Sequence, residues 1–359
     1  MHGSVQSVKN SVSAVSPAPT HNPAQVPFEK GLSMPLLRHF VLTGLASLCL
    51  FLGSGTARAE LLRETGLSLG SGYRRAELSW NIAGNRQGTN PDVLSELEWK
   101  NLDIFQAQAE SHLRLGLHQF PNLSLLIKGS LSWGWIVAGN NRDSDYAGDG
   151  RTLEFSRSEN SGKGGNLLDL SVALGPQLQL FDNSLELALL AGWSYHEQNL
   201  KIRRGRQTLS EPGLTPNTSL PQPLGRFPGL DSRYETRWWG PWLGTDLHWL
   251  PTAKLSLSGS FAWHFADYQA KADWNLRSDL AHPVSFRHWA DGSGLVLALG
   301  LHYRLTPNWR LALDYQYQDW VADKGLHRIY RADGGRAESR LNKVNWRSRA
   351  AMLSLCYLL

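Results

Sequence analysis

Carboxylates gather at one place in the sequence. The stretch Asn141-Arg142-Asp143-Ser144-Asp145-Tyr146-Ala147-Gly148-Asp149-Gly150 is followed closely by Arg151, Glu154 and Arg157. On an extended segment, residues two apart project to the same face, so Asp143 and Asp145 could position a water or share a proton for acid–base work. The residues also admit a calcium reading. Asp143, Asp145, Gly148 and Glu154 fall at the first, third, sixth and twelfth positions of an EF-hand type of loop, although Ala147 breaks the pattern at the fifth. A structural reading stands beside both: the Asp residues pair with Arg142, Arg151 and Arg157 and hold the shape of a solvated loop. Further along, Asp273 sits in Lys271-Ala272-Asp273-Trp274-Asn275-Leu276-Arg277, and His282 and His288 follow it.

The elements that must position these groups begin with an export signal. Met34 opens a stretch with basic Arg38, an apolar run from Phe40 to Leu52 and the small-residue exit Ala57-Arg58-Ala59, which reads as a signal peptide over 34–59, cleaved before Glu60. Residues 1–33 read as a leader outside the fold. The apolar run is shorter than the roughly 20 residues a membrane helix needs, and no later run exceeds it. Of the 36 basic and 31 acidic residues, four and one precede residue 60, leaving 32 and 30 in the exported chain. That near balance, with no basic stripe, excludes a nucleic-acid partner. One cysteine, Cys49, lies in the signal and the other, Cys356, near the C-terminus, so no internal disulfide and no thiolate metal site is expected. No cofactor is expected either.

All 15 Trp fall in the exported part, yet mean hydropathy is −0.32. Alternation reconciles the two. Leu255, Leu257, Gly259, Phe261, Trp263 and Phe265 make one apolar face, while Ser256, Ser258, Ser260, Ala262, His264 and Ala266 make the other small or polar. A period of two means strand. The pattern recurs from Leu123 to Trp133, Leu185 to Trp193, Leu295 to Tyr303 and Leu311 to Tyr317. Its second face mixes Gly, Ala and Ser with Lys128, Glu186, His196, Arg304 and Asp314, as a narrow polar barrel interior requires.

Tight turns at Phe120-Pro121-Asn122, Phe181-Asp182-Asn183-Ser184, Pro251-Thr252-Ala253 and Thr306-Pro307-Asn308 alternate with much longer polar loops, the asymmetry of outer-membrane barrels, whose short turns are periplasmic. The expectation is an all-β fold, a transmembrane antiparallel up-and-down β-barrel of about ten strands: 66–82, 93–118, 123–139, 166–180, 185–209, 233–250, 255–275, 284–305, 309–331 and 340–359. Several exceed the 9 to 11 residues that cross a bilayer, so the walls should project outside the cell. Trp239, Trp249, Trp289, Trp309 and Tyr357 lie near strand ends, where amphipathic rings suit the headgroup level.

Ten strands, tall walls, Ser95-Glu96-Leu97-Glu98-Trp99-Lys100 in the second strand and Asp-x-Asp after the third together resemble the omptins, outer-membrane endoproteases that cleave near basic residues. More specifically, Ser71-Gly72-Tyr73-Arg74, Leu78-Ser79-Trp80-Asn81-Ile82-Ala83-Gly84, Asn90-Pro91-Asp92-Val93-Leu94-Ser95-Glu96-Leu97 and Asp143-Ser144-Asp145-Tyr146-Ala147-Gly148-Asp149 resemble the omptin-related family called Protochlamydia outer membrane protein. The omptin resemblance implies a site in which one Asp pair faces an Asp-x-His pair whose His activates water. Asp143 and Asp145 match the first pair and Asp273 the acid of the second. Asn275 stands where the His should be, and an amide cannot act as a general base. The resemblance also implies contact with outer-membrane lipids, including lipopolysaccharide, through a basic residue on the outer wall, where Arg237 has a comparable place. The closing Ala351, Leu353, Leu355, Tyr357, Leu359 resembles the signature read by barrel-assembly machinery.

With half of the omptin constellation missing, the leading expectation is a non-enzymatic surface scaffold or binding protein of the outer membrane. The alternatives are an omptin-type endopeptidase with a displaced base and a small porin.

Overall fold

A computed structural model of the protein describes residues 62–117, 119–182, 184–215 and 221–359; the expected leader, signal peptide and Cys49 lie outside them. Among the described residues the chain forms β1 (Leu62–Ile82), β2 (Ser95–Leu117), β3 (Phe120–Gly148), β4 (Thr152–Ser161), β5 (Gly165–Leu180), β6 (Leu185–Ser210), β7 (Gly225–Arg226), β8 (Asp231–Trp249), β9 (Leu255–Asp273), β10 (Phe286–Arg304), β11 (Trp309–Tyr330) and β12 (Arg336–Leu358). Each pairs antiparallel with its neighbours, and β1 closes the ring on β12, from Gly66 against Leu358 to Ile82 against Leu341. Closure leaves no sheet edge, which is what a lipid environment demands of strands.

The ring has ten staves because β4 and β5 share one and the two-residue β7 only flanks β6, off the ring. β5 pairs with the lower parts of β3 and β6, whereas β4 pairs with their upper parts, at 140–148 and 203–210. Nine of the ten expected strands are present with close to the expected bounds. The corrections are at β3, which was expected to end at Gly139 and instead runs to Gly148, and at β4, which was not expected. In the projecting wall both faces are polar, so the apolar period vanishes and backbone pairing to β2 and β4 alone carries the strand. The acidic stretch is therefore wall, not loop.

The alternating apolar faces point outward. Val172, Leu189, Leu299 and Leu313 are 54–67% exposed, and such residues recur around the ring as the lipid-facing band. Trp249 and the contacting pair Trp309 and Tyr357, at 4.8 Å, ring its short-turn end. Inside the band, ion pairs cross the lumen: Arg74 to Asp169 at 2.7 Å, Arg114 to Glu186 by two bonds, and Lys128 to Asp246, while His196 hydrogen-bonds Asp169 from the adjacent strand at 2.9 Å. Above them lies a layer of fully buried rings, Trp99, Trp238, Trp320, Trp346, Tyr234 and Tyr268. Small residues make room for them: a Cβ on Gly294 would stand 2.4 Å from the Trp320 ring. Side chains from facing strands thus bridge the lumen, as the narrow bore of ten strands permits.

Candidate functional site at the long-loop end

Above the aromatic layer the walls enclose a cavity of about 630 Å³. Asp143 and Asp145 lie on its β3 wall, two residues apart and on one face, as the extended backbone requires. Asp145 stands opposite Ser95 on β2 and Ser156 on β4, and both hydroxyls hydrogen-bond its carboxylate. Asp143 has no such support, and its Oδ1 is buried without a partner. Burial raises the pKa of Asp143 well above the usual carboxylate range, the charge of Asp145 adds to the rise, and Arg277 opposes it. Burial likewise raises Asp145, against the pull of its serine bonds and Arg277. Arg277, which also lines the cavity, is fixed by a two-bond pair with Asp279 at 2.7 Å.

Asp273 goes elsewhere. The inward residues of β9 are Tyr268, Ala270 and Ala272, so Asp273 falls on the outer face, where its Oδ1 meets His282 Nδ1 at 2.6 Å. The displaced histidine does find the acid, but neither residue lines the cavity that holds Asp143 and Asp145. Asn275 has a structural task. Its Oδ1 accepts from the Asp231 amide and the Ser232 hydroxyl, both at 3.0 Å, and its Nδ2 donates to the Gly229 carbonyl at 2.8 Å, clamping the start of β8.

The calcium reading fails on geometry. Glu154 is held by Arg157 in a small recess with Glu96, Glu98 and Arg142, apart from the cavity, so the hairpin cannot wrap one ion with all three acids. Among the described residues no group of three metal-ligating side chains comes together. The three arginines do form ion pairs, but with glutamates rather than with the aspartates of the stretch: Arg142 with Glu159 at 2.9 Å, Arg151 with Glu96 at 2.6 Å, and Arg157 with Glu154. Arg237 lies on the outer wall, 3.3 Å from Glu197.

One cavity residue was not anticipated. His327, on β11, lines the same cavity and ends a buried chain: Tyr268 OH to Tyr234 OH at 2.6 Å, Tyr234 OH to His288 Nδ1 at 2.8 Å, and His288 Nε2 to His327 Nδ1 at 2.9 Å. Burial lowers His327 to about 3 and His288 well below the ordinary imidazole value, so both are neutral at neutral pH. A register shift of β11 against β10, between Asp323 and Leu326, resets which residues face inward and obscures the position in the sequence. The inward position of His288 beside it on β10 was the available signal.

The barrel superimposes on the outer membrane protease OmpT of Escherichia coli with a TM-score of 0.62 at 16% identity, covering 82% of this chain and 97% of that one, a likeness of fold. The translocator domain of the autotransporter NalP from Neisseria meningitidis is a more distant match, with a TM-score of 0.31 at 10% identity, over 91% of this chain and 98% of that one. Compared with curated proteins, the sequence matches none. The family described as Protochlamydia outer membrane protein matches residues 68–359, which span β1 to β12 except the first residues of β1. This chain therefore belongs to the Protochlamydia outer membrane protein family, and its omptin-like barrel lies in the outer membrane.

Proposed function

We propose that the protein is a closed, non-enzymatic binding protein of the cell surface, whose ligand enters the long-loop cavity from outside. The observation that carries this reading is the separation of the two halves of the omptin pattern. Asp143 and Asp145 face the cavity, while the Asp273–His282 pair faces outward. The crosslinked lumen below favours binding over permeation: Arg74, Asp169, Arg114 and Glu186 meet across it and are nearly solvent-free. Detergent-purified protein in planar bilayers, with lipopolysaccharide present, should give no steady conductance, and a peptide library should stay uncleaved. A stable current would overturn the closed lumen.

A second reading, an endopeptidase, is favoured by His327, which shares the cavity with the carboxylates. Peptide cleavage lost in both Asp143→Ala and Asp145→Ala would establish it and displace the first.

A further inference from the structure

We infer that the cavity takes a neutral polyhydroxylated ring compound, a sugar residue of an extracellular glycan. The inference rests on the reading of this cavity as a binding site and names its ligand class. Three polar atoms of its lining residues are buried without partners, and they are of both polarities: Asp143 Oδ1 and Asn160 Oδ1 accept and Trp80 Nε1 donates. An ammonium group would satisfy the acceptors and leave the donor; a carboxylate or phosphate would satisfy the donor and be repelled by the Asp pair. A hydroxyl donates and accepts, so a ring bearing several meets both demands at once.

The rest of the lining agrees. Ser95, Ser156, Ser158, Ser232, Asn160 and Gln207 contribute short neutral hydroxyls and amides. Gln207 Nε2 donates to Ser156 Oγ at 3.0 Å, and Asn160 Nδ2 to Ser158 Oγ at 2.9 Å, so these groups are held at fixed positions. Aromatic faces form the apolar part: Trp274 is half-buried and packs edge-on against Phe286 at 4.8 Å, and Phe286 packs against Trp80 at 5.7 Å. The C–H face of a sugar ring is apolar and lies flat on such rings, while its hydroxyl rim reaches the polar groups. Arg277 offsets the carboxylates and reduces the pull on cations. The volume, about 630 Å³, falls inside the roughly 300–1,000 Å³ of small-ligand pockets.

The test uses the full exported chain in detergent, with glucose, galactose, mannose, N-acetylglucosamine and their neutral trisaccharides as probes, and butylamine, acetate and a peptide library as contrasts. Binding is read by saturation-transfer NMR and tryptophan fluorescence, and folding of each variant by circular dichroism. At least one saccharide should bind. Trp274→Ala should weaken it about tenfold and Trp274→Phe much less, as loss of one aromatic face predicts. Asp143→Ala should weaken it as well. Failure of every saccharide, or binding indifferent to Trp274→Ala in a folded variant, overturns the inference. If saccharides fail but a contrast ligand binds in a Trp274-dependent way, the sugar class falls and the binding cavity stands. If no probe binds, both fall.

Discussion

His282 Nδ1 lies 2.6 Å from Asp273 Oδ1, and the pair sits on the outer face of the wall, turned from the cavity that holds Asp143. The two side chains are 41% and 29% exposed. An exposed pair of this kind contributes about 0–1 kcal/mol. His282→Ala and Asp273→Ala should therefore leave ligand binding unchanged and shift stability by no more than that. Urea titration of the barrel in detergent, alongside the binding assay, checks both; a loss of binding in either variant would return this pair to the site.

The lumen should react far more strongly. Arg74 is 1% exposed and meets Asp169 at 2.7 Å. Removing one partner of a buried pair strands the other charge and costs about 3–5 kcal/mol. Arg74→Met or Asp169→Leu alone should lower the urea midpoint sharply, and the double variant should recover much of the loss. Equal damage in the single and double variants would show that the pair itself is not the cause.

Above the membrane, Asp143 should make stability depend on pH. Its folded pKa is raised by burial and by Asp145, so the folded state holds the proton where the unfolded chain has released it. The contribution is fully present below the unfolded carboxylate pKa and is lost as pH rises through the folded one. His288 and His327 work in the opposite direction, because their lowered pKa values make acid favour the unfolded chain. The difference between the protein and Asp143→Asn isolates the carboxyl: the variant should be the more stable at neutral pH, with the gap closing on acidification. A gap that widens in acid contradicts the assignment.

A methyl group should be enough to disturb the aromatic layer. The Cβ of Gly294→Ala would stand 2.4 Å from the Trp320 ring, which is 1% exposed and packed against His196 at 4.5 Å. Overpacking of this kind costs about 1–3 kcal/mol. Thermal unfolding followed by near-ultraviolet circular dichroism reads the loss, and an unchanged aromatic signal would mean that the ring moves freely.

Much of the barrel was legible because lipid writes on the sequence. Leu295, Leu297, Leu299 and Leu301 alternate since one face must be apolar, and Pro251-Thr252-Ala253 marks a turn by its composition. The signal fades where water replaces lipid. At Asn141 to Gly148 both faces are polar, so a strand looked like a loop, and β4 was missed with it. Asp143 and Asp145 were recognisable as a pair because two-residue spacing survives any register. The facing of Asp273 and His327 depends on where each strand begins and on a register shift beside His327, and neither is encoded in local composition. Trp80 and Trp274 meet the same cavity from β1 and from the end of β9, a proximity created only by closing the ring.

The divided stave has a consequence for affinity. Because β4 continues the sheet beside upper β3, the Asp143 to Asp145 segment is hydrogen-bonded on both sides, to β2 and to β4, rather than hanging as an open hairpin arm. Its carboxylates are thus preorganised. A ligand that reaches them loses its own freedom on docking but need not freeze the protein's, and the binding free energy otherwise consumed by ordering a loop is kept for contacts.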